Sequence, residues 1–244
     1  MPNLERSDIL STVESYMRLR TPGHRYASFD YCYRYFRDTP GEQLIQEMER
    51  SCLALGFYLA SWGMFRGKSS LLQRSAEHYI PIVQYVAEQP TETWDLDVCT
   101  CDSAGIDRLR DIYQDIRSRM VGAETAHLTL VTKVMLGVFG VVPAIDRYFG
   151  DAFREISPNA KFRTFGRVSL EALQDFYQAN KPAIERARAE SMVLSFPDTE
   201  GTKLHYTRAK ILDMYGFTKG GGIGAIQKKG TIPFSRGYKG IDPF

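Results

Sequence analysis

The sequence predicts an all-α protein of about nine or ten helices, set as two lobes around a cleft and followed by a flexible C-terminal arm. Three observations lead there. Apolar residues recur at three- and four-residue spacing in segment after segment, with no sustained alternation of the kind strands show. Proline and glycine fall mostly between those segments, where helices stop. And 244 residues with 43% hydrophobic and 25% charged side chains bury a large core without disulfide or metal staples.

In chain order, Ser7 or Asp8 caps a first helix to about Arg20, with Ile9, Leu10, Val13, Tyr16 and Met17 on its apolar face. Thr21-Pro22-Gly23 stops it. The next segment, 24–37, carries Tyr26, Phe29, Tyr33 and Phe36 on one face and Tyr31 and Tyr35 on another near Arg34. Beyond the turn at Pro40-Gly41, a long helix over 42–61 points Leu44, Ile45, Met48, Cys52, Leu55 and Leu59 inward. A glycine-opened loop with Arg66 and Lys68 leads to a helix over 69–86, which Pro81 is expected to kink. Residues 88–103 read as a surface loop or domain boundary where the lobes meet. A charged amphipathic helix over 103–120 follows, then an apolar one over 124–137. Pro143 stands in the first turn of a helix over 144–155. Lys161, Arg163 and Arg167 form a basic loop around Phe162 and Phe165. Ser169 caps a helix that continues past Pro182 to about Leu194, and 203–215 is the last helix. From Gly216 the register is lost among glycines, lysines and aromatics. The organisation is therefore one all-α domain over 1–215 and a Gly/Lys-rich arm over 216–244 that contacts DNA or a partner.

The net charge of +2 is uneven. Residues 216–244 hold five bases against one acid, leaving 26 basic and 28 acidic residues for the rest. Such a body binds nucleic acid only through a local patch or through the arm. The first twenty residues lack the apolar run of a secretory signal, so Cys32, Cys52, Cys99 and Cys101 are expected as reduced thiols in the cytoplasm. No apolar run is long enough to span a membrane. Cys99-Thr100-Cys101 lacks metal-site spacing and a nearby histidine, so no metal or other cofactor is expected. Gly67-Lys68-Ser69 lacks the spacing and the preceding strand of a phosphate-binding loop for nucleotide hydrolysis. It still offers Arg66, Lys68 and Ser69 at a predicted helix start, which suits one DNA phosphate.

The organising stretch runs from Thr132 to Asp146. Lys133 and Asp146 are the two charges in or beside the most apolar segment of the chain. Burying a charge costs several kcal/mol unless it is paired or used, so the two are read together as a site. Asp146 also falls in the first turn of a predicted helix, where the dipole favours a carboxylate.

This stretch resembles the catalytic signature of the helix-hairpin-helix DNA glycosylase superfamily. There, an apolar helix ends at a Phe-Gly-type corner, an apolar turn with proline follows, and a catalytic aspartate opens the next helix, often with an arginine after it. Phe139-Gly140, Val141 to Ile145 with Pro143, Asp146 and Arg147 take those places. The likeness covers residues 122–147. It departs in the hairpin, whose two glycines reduce here to Gly122, and in the lysine, since Lys133 is nearer to the aspartate than the family's. There is no cysteine cluster for an iron–sulfur centre. The resemblance implies an all-α glycosylase that flips out a damaged or modified base and hydrolyses its N-glycosidic bond, in repair or antiviral defence. Asp146 and Lys133 would be catalytic, Arg25, Arg66, Lys68, Ser69 and Arg147 would hold DNA, and Tyr31, Trp62 and Phe65 would wall the base.

Two other readings compete. One is a non-catalytic all-α interaction protein, with Lys133–Asp146 a structural ion pair. The other is a helical RNase, which needs an arginine and a histidine about five residues apart on one helix. Arg74 and His78 come near that spacing.

Overall fold

Helix-forming periodicity becomes eleven α-helices among the residues described in the computed structural model, which are 6–67, 69–121, 127–160, 162–196 and 203–227. They are α1 (Arg6–Leu19), α2 (Ala27–Asp38), α3 (Gly41–Gln46), α4 (Met48–Ser61), α5 (Ile80–Ala87), α6 (Ser103–Met120), α7 (Leu128–Phe139), α8 (Arg147–Ile156), α9 (Arg167–Ala189), α10 (Arg208–Lys219) and α11 (Gly222–Gln227). Three short 3₁₀ turns lie between α4 and α6. The described residues contain no strand, only an isolated bridge between Met192 and His205. None of their helices is long and apolar enough to cross a membrane.

α7 is the centre of the packing. Every residue from Leu130 to Phe139 is buried, and α2, α4 and α6 lie against it. Gly137 permits the approach of α4: a Cβ there would stand 2.2 Å from the ring of the fully buried Tyr58. Gly140 ends the helix in the left-handed conformation (φ 71°), and its N–H bonds the Met135 and Leu136 carbonyls. On the other side α10 packs on α8, α1 and α9.

Several expected elements differ. The helix over 42–61 breaks at Glu47 (φ −100°, ψ 38°) into α3 and α4, which leaves Ile45 exposed instead of in the core. The helix over 69–86 is two 3₁₀ turns, Ser70–Gln73 and Ala76–Tyr79, before α5. Pro81 opens α5 rather than kinking a longer helix, since its missing N–H costs nothing in a first turn. Pro182, by contrast, lies inside an unbroken α9, which starts at Arg167 and stops at Ala189. Phe162 is buried against Phe149 and Phe153, so only part of the 161–167 cluster is surface; Lys161 lies outside the described residues.

A division into two lobes is not seen among the described residues. Residues 88–103 enter the core instead: Trp94, Val98 and Cys99 are buried, and the Trp94 indole N–H donates to the Val138 carbonyl at 2.9 Å. One hydrophobic cluster joins Ile9 to Phe217. The helical register also persists beyond Gly216, through the end of α10 and α11; the remainder of the predicted arm, 228–244, is outside the described residues.

Candidate active site

The site is built on the connector between α7 and α8. After Gly140 the chain leaves the helix, and several of its peptide groups are held by α7, by α10 and by the segment before α6. Val141 accepts from the Val98 N–H (3.0 Å), and the Gly140 carbonyl accepts from the Thr207 hydroxyl (2.6 Å). The Ala144 N–H donates to Asp213 Oδ1 (3.1 Å) and the Ile145 N–H to Thr132 Oγ1 (3.0 Å), while the Thr129 hydroxyl donates to the Ile145 carbonyl (2.9 Å). Asp146 follows as the N-cap of α8, which starts at Arg147 rather than at residue 144, so Asp146 precedes the first turn and Pro143 lies in the connector instead of the helix. Asp146 Oδ1 accepts the Phe149 N–H at 3.0 Å.

The other carboxylate oxygen of Asp146 faces Lys133 Nζ at 3.4 Å. Lys133 keeps 4% of its side-chain exposure and Asp146 15%, so the acid is the partner that meets solvent. Lys133 Nζ also stands 5.2 Å from the centroid of the Trp62 ring, a cation–π distance. The indole stacks on Tyr26 (5.3 Å), which stacks on Tyr16 (4.7 Å), and Phe217 meets all three rings edge-on. The Arg25 guanidinium lies 5.6 Å from the Trp62 centroid and 5.7 Å from that of Tyr26. Burial pushes the Tyr26 phenol up to about 12, against the pull of Arg25. Burial, with Asp213 adding to it, raises the Tyr16 phenol well above its usual range. Among the described residues, neither the Trp62 indole N–H nor the Tyr26 hydroxyl has a hydrogen-bond partner, although both are buried.

Of the residues singled out in the sequence, Arg25, Trp62, Lys133, Asp146 and Arg147 thus form one series of neighbours drawn from four segments. Arg147 points outward, 86% exposed, toward Asp151 at 3.6 Å. Phe65 is half-buried and Arg66 exposed in the turn after α4. Ser69 caps a 3₁₀ turn, accepting the Leu71 N–H at 3.3 Å, so the α-helix start expected to seat a phosphate there is absent. Lys68 and Gly122 lie outside the described residues. Tyr31 does not join the group. It sits on another face of α2, donates to the Pro22 carbonyl (3.0 Å), meets Phe196 and lines a cavity of about 370 Å³ with Arg34, Tyr35 and Phe57. Neither that cavity, nor the 850 Å³ groove beside it, nor one of 470 Å³ at the start of α7, is lined by Lys133 or Asp146. Arg74 is the extended residue after the first 3₁₀ turn and His78 lies in the second, so the two do not share a helix.

Sequence reading missed Lys210 and Asp213, which enclose the far side of the same aromatic group. Lys210 is 1% exposed, and its Nζ is 2.7 Å from Asp213 Oδ2 and 5.1 Å from the Trp62 centroid. The available signal was a lysine and an aspartate three residues apart inside Ala-Lys-Ile-Leu-Asp-Met-Tyr-Gly-Phe, the same charge-in-apolar pattern that exposed Lys133. Comparison with known proteins gives no match to a protein-family model, a curated protein or a solved structure.

Proposed function

We propose that this protein is a DNA glycosylase that hydrolyses the N-glycosidic bond of a flipped-out base, with Asp146 as its catalytic carboxylate. One observation carries the reading. Asp146 opens a helix and is held by a buried lysine whose ammonium faces an aromatic group overlaid by an arginine. Breaking the glycosidic bond builds positive charge on the sugar as the electron pair leaves with the base. A fixed carboxylate stabilises that charge and accepts a proton from the water that adds to C1′. Lys133, buried and paired, holds the carboxylate in place and leaves hydrolysis to an abasic site as the reaction, without Schiff-base chemistry. Arg25, Arg66 and Arg147 are exposed cations for the phosphates. The base is walled by Trp62 with Phe65 at the rim, and the Tyr26–Trp62 stack has to part to admit it.

The test is base release. The full chain is incubated with duplex and single-stranded DNA carrying ordinary, damaged, and hydroxymethylated or glycosylated bases, then treated with hot alkali to cut abasic sites. Strand cleavage with one substrate class is expected. DNA affinity should fall steeply with salt, by roughly 10²-fold or more between 50 and 200 mM if several phosphates are held. No cleavage on any substrate, with no DNA binding at low salt, overturns the reading.

The interaction-protein reading has one observation of its own. Leu53, Phe57 and Phe196 are 53%, 68% and 79% exposed beside the 850 Å³ groove. Exposed apolar residues gathered on one face mark a contact surface. With Glu49 and Arg50 on the same helix, that face offers both charge signs to a two-fold-related copy of this chain. Under this reading sedimentation velocity gives a concentration-dependent dimer and no DNA complex. A monomer at all concentrations removes it.

A further inference from the structure

Lys210 and Asp213 have no role in the reaction as described, yet they are among the most buried charges of the chain. Lys210 Nζ is 2.7 Å from Asp213 Oδ2 and 3.4 Å from the Tyr16 hydroxyl, with the Phe29, Tyr16 and Trp62 centroids at 4.3, 5.1 and 5.1 Å. A buried pair of this kind is weak evidence for stability, because apolar residues of similar volume serve a core as well or better. What distinguishes it is the other oxygen. Asp213 Oδ1 accepts the Ala144 N–H at 3.1 Å, two residues before Asp146. The next peptide is held from the opposite side, by Thr132 and Thr129 of α7. Lys133, beside Thr132, reaches the Trp62 ring that Lys210 also reaches. The turn ahead of Asp146 is therefore clamped between α10 and α7, and each side also presents an ammonium group to the same indole.

We propose that Asp213 is a positioning residue for Asp146: its Oδ1 fixes the turn that aims Asp146, and Lys210 serves as its buried counter-ion. The catalytic meaning of this clamp rests on the glycosylase reading; the clamp itself rests on geometry alone. A carboxylate displaced by about 1 Å loses about 10²-fold in rate even when substrate binding is intact.

Two double variants of the full chain separate positioning from bulk stability. K210M/D213N removes both charges but keeps an acceptor for the Ala144 N–H. K210M/D213L removes the acceptor as well. Base release and amide exchange over residues 141–146 are measured for both, after each is shown to be folded by circular dichroism. For K210M/D213L, kcat is expected to fall about 10²-fold with KM for DNA unchanged, and exchange at Ala144 to rise at least tenfold. K210M/D213N is expected to restore kcat to near wild type and to keep Ala144 protected. If either double variant is unfolded, the single variant D213N, which retains the acceptor, is compared with D213L in the same two measurements. Wild-type kcat and wild-type Ala144 protection in the leucine variant overturn the proposal. An equal loss of kcat in the leucine and asparagine variants overturns it too. If the wild type releases no base, the glycosylase reading fails separately, and Ala144 exchange alone decides the clamp.

Discussion

Asp146→Asn is expected to abolish most base release, by roughly 10²–10⁴-fold, while DNA binding at low salt persists. Asparagine keeps the shape of the side chain and is as good an N-cap as aspartate, so the bond to the Phe149 N–H and the start of α8 survive. What disappears is the negative charge facing the sugar. The variant has a second consequence that must be separated from the first. Lys133, 4% exposed, loses its counter-ion, and removing one member of a buried pair costs about 3 kcal/mol or more. Chemical denaturation should therefore show a lower midpoint for Asp146→Asn. Adding Lys133→Met, which replaces the ammonium with an apolar chain of similar length, is expected to recover most of that stability and none of the activity. Full base release by Asp146→Asn, measured below its melting temperature, would sink the assignment. Recovery of activity in the double variant would show instead that the single substitution acted only through folding.

Some of this structure is legible along the chain and some is not, for physical reasons. α2 and α6 announce themselves because one face of each is buried over its whole length: Tyr26, Phe29, Tyr33 and Phe36, or Ile106, Leu109, Ile112 and Ile116. Lys133 stands out for the complementary reason, a charge where every neighbour must be buried, and Asp146 because it closes the same apolar run. The 42–61 pattern misleads because periodicity survives a break of a single residue, and Glu47 changes direction without a glycine or proline to mark it. Residues 88–103 mislead because their burial depends on long-range partners. Trp94 reaches the Val138 carbonyl, and Asp97 accepts from the Cys99 N–H within the segment and from the Arg208 N–H at the start of α10. Neither partner of those long contacts is near in sequence. Lys210 and Asp213 carry the charge-in-apolar signal too, but at i, i+3 on one helix they can pair locally, and the placement of α10 against α1 and α8 is what encloses them.

Asp30→Asn should make the protein less sensitive to pH in a defined direction. Asp30 is completely buried on α2. Its Oδ1 accepts from the Tyr206 hydroxyl, and its Oδ2 faces the Arg20 guanidinium at 3.6 Å. Burial raises its carboxyl from 3.8 to about 6, because desolvation outweighs the attraction of Arg20, the Tyr206 bond and the field of Lys210. In the unfolded chain the same group ionises near 3.8. Below that pH both states hold the proton and Asp30 costs nothing. As pH rises toward 6 the unfolded chain has released its proton while the folded one still retains it, so stability is lost across that window. The upward displacement corresponds to about 3 kcal/mol by pH 7, at about 1.4 kcal/mol for each pH unit. Asparagine has no proton to lose and can still accept from Tyr206. The unfolding free energy of Asp30→Asn minus that of the wild type should therefore climb by about 2.4 kcal/mol between pH 4 and pH 7. Urea titrations of both proteins at half-unit pH steps measure this directly, and other titrating groups cancel in the difference. A flat difference would mean that Arg20 and Lys210 fully offset the desolvation of Asp30. A difference that falls with pH would mean that they more than offset it, making the buried carboxylate a net stabiliser at neutral pH.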